Sequence, residues 1–78
     1  LNLRRKREIK KITEELKTSL ERLEEIRDEE EEYRENMPEN LHGSERYENS
    51  EEASLNIEDA FLELESALES LEHITEDI

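Results

Sequence analysis

The chain has 78 residues with 11 Lys and Arg against 25 Asp and Glu, a formal net charge of -14; 46% of residues are charged and 31% hydrophobic. That is one small domain at most. With no Val or Trp, one Gly and one Pro, it lacks the strand and turn formers of a sheet protein. Zero Cys excludes disulfides and thiolate metal sites. No apolar run approaches the ~18 residues of a membrane span and no secretory h-region is visible. These features fit a cytoplasmic protein with no membrane partner.

Such high charge and low hydrophobicity favour disorder unless the apolar residues are placed rather than scattered. In the first half they are placed. Ile9, Leu16, Leu23 and Met37 share one seven-residue register, broken only by Glu30. Ile12, Ile26 and Tyr33 fall three residues later, interrupted by Ser19, and Leu20 widens the stripe. Read as an a/d heptad, this predicts an amphipathic helix over about residues 3–36.

A break follows at about residues 37–44. Pro38 disfavours helix at Met37, Gly43 is suited to a positive φ, and Ser44 is a good N-cap. Pro38 to Leu41 has room for an extra turn. Asn49 with Glu52 offers a later capping box.

The second helix is predicted over about 45–77. Ile57, Leu64, Leu71 and Ile78 fall on d, Tyr47, Phe61 and Leu68 on a, and Ala53, Ala60, Ala67 and Ile74 on g. Two helices of nearly equal length, each near 50 Å at ~1.5 Å per residue, joined by a short connection, make an all-α antiparallel hairpin spanning residues 1–78. Helix 2 presents more apolar surface than one partner helix covers, and small scaffolds without disulfide or metal need further support. The expected completion is a homodimer forming a four-helix bundle, or a partner helix from another protein. The expected interaction face is Ile9, Ile12, Leu16, Leu23, Ile26, Ile57, Ala60, Phe61, Leu64, Ala67, Leu68 and Leu71.

Charge placement agrees with antiparallel pairing. Arg4, Arg5, Lys6, Arg7, Lys10 and Lys11 open helix 1, while Glu63, Glu65, Glu69, Glu72, Glu76 and Asp77 close helix 2. Each cluster opposes its own helix dipole, and a hairpin sets them side by side to neutralise each other. At the other end, residues 28–52 hold eleven acids against Arg34 and Arg46. That acidic pole, with Glu31, Glu35 and Glu48 as its representatives, suits a basic groove on another protein. The second expectation is therefore an acidic inhibitor of phage type that imitates nucleic acid.

Chemistry is not expected. The acids of 24–32 superficially fit one Glu-rich motif of helical Mg²⁺-dependent pyrophosphohydrolases, but helix 2 lacks an acid three residues before an Asp. A di-metal bundle site needs Glu-x-x-His pairs on facing helices. The single match, Glu39 before His42, falls in the predicted loop, and His73 has Ser70 at that spacing; Glu69, one turn before His73, offers an i,i+4 contact instead. Glu30 falls near Ser50 and Ser54 in hairpin register, as a polar layer that fixes pairing. No catalytic, cofactor-binding or metal residue is assigned. Direct nucleic-acid binding by the basic start is opposed by the net charge.

The stretch Pro38-Glu39-Asn40-Leu41 followed by Ser44-Glu45-Arg46-Tyr47-Glu48, ahead of an acid/Ala/Leu-rich helix, resembles a group of short uncharacterised bacterial and phage-type helical proteins. The resemblance covers about a dozen diagnostic residues. It implies a natural hairpin architecture and carries no activity with it.

Overall fold

The computed structural model describes residues 1–78, all of them in a single helical hairpin. Helix α1 spans Leu3–Glu35, a short 3-10 turn covers Glu39–Leu41, and helix α2 spans Glu45–Thr75. The rod measures 59 × 15 × 13 Å, and no helix is long and apolar enough to cross a membrane.

Both helix starts are capped by side chains. Asn2 Oδ1 accepts from the Arg5 amide at 2.9 Å, and Ser44 Oγ accepts from the Tyr47 amide at 3.3 Å. Each satisfies a first-turn N–H that the helix itself leaves unpaired. The Asn49 box is not used. Gly43 departs from expectation, since no glycine has a positive φ. Leu41, His42 and Ser44 instead donate to Pro38, Glu39 and Leu41, respectively. The chain thus reverses through successive right-handed turns, and no left-handed residue is needed.

The helices meet along a regular seam. On α2 it runs through Tyr47, Ser50, Ser54, Ile57, Phe61, Leu64, Leu68, Leu71 and Thr75, all buried or half-buried. These are the a and d rows expected from the sequence. On α1 the seam is Lys6, Ile9, Thr13, Leu16, Leu20, Leu23, Arg27, Glu30, Arg34 and Met37. The Ile9 row therefore is one half of the α1 seam, but it is d rather than a. Its companion row lies four residues on, at Thr13, Leu20, Arg27 and Arg34.

Ile12, Ile26 and Tyr33 are consequently not seam residues and stay exposed (49%, 39% and 42%). The stripe through Ile9, Leu16 and Leu23 has apolar neighbours on both sides, and tertiary pairing selects the side whose polar members find partners across the seam. Thr13 hydroxyl donates to the Ile9 carbonyl at 2.9 Å, which lets it be buried. Arg27 and Arg34 lay aliphatic stems in the seam and bond their guanidinium groups to α2. Leu20, 7% exposed, is the only buried apolar residue, alongside Thr13, Ser50 and Thr75.

Candidate interaction surface

Seen down its length, the hairpin has a seam and two unlike flanks. In an antiparallel pair the g rows of both helices lie on one side of the seam and the e rows on the other. Surface grooves show this directly. One brings Tyr33 of α1 beside Arg46 and Asn49 of α2; another, on the opposite side, brings Glu31 beside Glu51, Leu55 and Glu58.

The g flank is largely apolar between its ends: Ile12, Ser19, Ile26 and Tyr33 on α1, with Ala53, Ala60, Ala67 and Ile74 on α2, and with Arg5 and Arg46 as its terminal members. The e flank is charged: Lys10, Lys17, Glu24 and Glu31 on α1, with Glu51, Glu58, Glu65 and Glu72 on α2. Leu55 and Leu62 interrupt its outer edge and are 67% and 55% exposed. Single exposed leucines are ordinary on a protein surface; a row at heptad spacing over the whole rod is not.

The expected interaction residues therefore divide. Ile9, Leu16, Leu23, Ile57, Phe61, Leu64, Leu68 and Leu71 are half-buried in the hairpin's own seam, where a closed hairpin offers them to no partner. Ile12, Ile26, Ala60 and Ala67 lie on the g flank. Tyr33, Ala53 and Ile74 complete that flank. The g row of α2 was legible in the sequence; its α1 counterpart was mistaken for seam.

The acidic pole is exposed as expected. Glu31, Glu35 and Glu48 are exposed and form no ion pair. Inside the loop-side half of the seam the charges are satisfied instead. Ser50 hydroxyl donates to Glu30 Oε1 at 2.7 Å, the contact that hairpin register implies. Arg34 donates to the Ser50 carbonyl at 2.9 Å and to the hydroxyls of Ser50 and Ser54. Arg27 donates to Glu58 at 2.8 Å and stands 5.3 Å from the Phe61 ring centroid, a cation–π geometry. The hydrogen bond to Glu58 raises the Arg27 pKa; partial desolvation opposes that, and the charges of Glu58, Asp28 and Glu24 reinforce it.

At the open end, neutralisation is less complete than the clusters suggest. Lys6 bonds Asp77 at 2.6 Å, and Lys10 reaches the Ile78 carbonyl at 3.3 Å. Arg4 pairs with Glu8 of its own helix. Arg5, Arg7 and Lys11 have no ion partner: the heptad positions of Arg7 and Lys11 aim them away from α2, and Arg5 lies on the g flank with no acid in reach. The Lys6 hydrogen bond holds the Asp77 carboxyl below its usual 3.8, against desolvation and with the help of the Lys6 charge.

The remaining polar residues are locally used. His42 stacks on Tyr47 with ring centroids 4.7 Å apart, and its Nε2 lies 3.0 Å from the Met37 carbonyl. His73 Nδ1 lies 3.4 Å from Glu76 rather than contacting Glu69, since the histidine is turned toward the C-terminal turn. Arg46 pairs with none of the loop acids. No three His, Asp or Glu side chains converge into a cluster able to hold a metal ion. Comparison with protein-family models, curated protein sequences and solved structures gives no match.

Proposed function

We propose that this chain is a small acidic helical interaction protein, without catalysis, whose apolar g flank receives helices from outside its own hairpin. One observation carries the reading: between Arg5 and Arg46 at its ends, one flank is apolar at every g position but Ser19, and the corresponding e positions of the other flank are Lys and Glu. Solubility alone would favour charge on both. The small side chains of Ala53, Ala60 and Ala67 allow another helix to approach closely, while Ile12, Ile26 and Ile74 supply area to bury.

A photoreactive benzophenone tests this reading. Carried on Ile26→Cys it should join the chain to another polypeptide, its own kind or a different one, in purified protein or in extract. Carried on Glu51→Cys of the opposite flank it should not. Equal yields from both positions, or none from either, would contradict the proposal.

A second reading has its own support. Glu31, Glu35, Glu48 and Glu51 are exposed at the loop end of the charged flank without cationic partners. An array of this kind attracts a basic, nucleic-acid-binding groove. Changing Glu31, Glu35 and Glu48 to Lys should leave helicity intact and abolish binding to such a protein. Unchanged binding would remove this alternative.

A further inference from the structure

We infer that the occupant of the g flank is a second copy of this chain, docked with its loop at the opposite end of the rod. The inference rests on the interaction reading above and specifies its partner and orientation.

A lone hairpin is poorly closed. It exposes 5984 Å², whereas a compact protein of 9.4 kDa exposes about 5000 Å². Its radius of gyration is 17.6 Å against about 11.5 Å for a compact chain of this length. The missing burial matches the flank in size. A strip 59 Å long and 13–15 Å wide offers roughly 800 Å², the share that each partner gives to a standard interface.

Charge selects the orientation. With both loops at one end, two sets of the eleven acids in residues 28–52 would lie side by side. With loops apart, each acidic pole meets the open end of the other copy, where cations and acids nearly balance and where Arg5 and Lys11 have no partner in their own hairpin. Arg5 is itself a g residue. The acids at the loop end of the flank, Glu29 on the c row beside Tyr33 and Glu30 and Glu45 in the groove of Tyr33, outnumber the one cation there, Arg46.

The α1 row has the symmetry that this arrangement needs. A closed two-fold dimer with loops apart runs α1 antiparallel to α1 of the second copy. Ser19 is the midpoint of Leu3–Glu35. Ser19 then meets its own counterpart, Ile12 comes level with Ile26 of the second copy, and Arg5 comes level with Tyr33, within one turn of Glu29. A self-complementary surface is what a two-fold interface requires; an unrelated partner imposes no such symmetry.

The test uses the absence of native cysteine. A single nitroxide on Asn40→Cys, in the loop, should report an inter-label distance on the order of the 59 Å rod. A distance of only one or two rod widths would overturn the orientation. Arg5→Glu should weaken dimerisation about tenfold, and adding Glu29→Arg should restore it; no effect of either change would count against the charge argument. Monomeric purified protein whose Ile26→Cys benzophenone still captures a different chain would overturn the second copy and leave the interaction reading standing. Monomeric protein with no capture would end both.

Discussion

The two halves of the seam solve different problems. Toward the open end, Ile9, Leu16, Leu20 and Leu23 face Phe61, Leu64, Leu68 and Leu71, and stabilisation comes from apolar burial. Toward the loop, Arg27, Glu30 and Arg34 face Ser50, Ser54 and Glu58, and specification comes from hydrogen bonds. Leucine against leucine tolerates a heptad slip. Arg34 against Ser50 and Ser54 does not, since a slip would leave a guanidinium and two hydroxyls without partners. A rod with so thin a core needs both: the apolar half makes it fold, and the polar half makes it fold in one register.

The largest expected effect breaks the apolar half. Leu20→Ala removes the most deeply buried apolar side chain and should cost about 2–4 kcal/mol, read from thermal or urea unfolding followed by circular dichroism. A loss no greater than that of an exposed control such as Leu55→Ala would refute the ranking. The polar half should respond less in energy and more in uniqueness. Arg34→Ala should cost about 1–2 kcal/mol by stranding Ser50 and Ser54. Glu30→Leu should leave stability equal or higher while multiplying amide resonances, because pairing loses its register contact. A single set of resonances would show that Glu30 specifies nothing.

Smaller effects sharpen the ends. Ser44→Ala should cost about 1 kcal/mol through the lost cap of α2. Asp77 has its pKa lowered in the fold, so the Lys6 contact contributes above the ordinary carboxylate range and is lost as pH falls through the lowered value. Carboxyl NMR titration should place the Asp77 midpoint below 3.8, and Lys6→Ala should return it there. Gly43→Ala should be neutral or stabilising by up to about 1 kcal/mol, since a Cβ there meets nothing within 4 Å and the backbone is not left-handed. A marked destabilisation would contradict the turn geometry.

Most of the architecture was legible in the sequence. Heptad spacing, the Pro38 break and the Ser44 cap mark two helices and their connection, and α2 carries its register openly because its a, d and g rows are apolar in different ways. Helix α1 conceals its register. Its Ile9 row can pair with residues three or four positions on, and apolarity favours Ile12, Ile26 and Tyr33. The folded chain takes Thr13, Leu20, Arg27 and Arg34, since a threonine bonded to its own helix and two arginines bonded across the seam are buried at little cost. Those bonds depend on which α2 residue stands opposite, and hydropathy does not encode that. One clue was present: Arg27 and Arg34 are themselves a heptad apart, in step with Leu20. The Asn2 cap was not anticipated, although an Asn placed before a helical run is its ordinary signal.

The same misreading hid the candidate surface, because residues assigned to the seam were the ones left outside it. The central claim is that this exposed g flank, and not the opposite one, is buried by association. Light scattering after size exclusion tests it most directly, at about 0.15 M salt, where charges are screened beyond ~8 Å. The wild-type chain and Leu55→Glu should both give twice the 9.4 kDa chain mass, and Ile26→Glu should give 9.4 kDa. A dimer that survives Ile26→Glu but dissociates with Leu55→Glu would contradict the account.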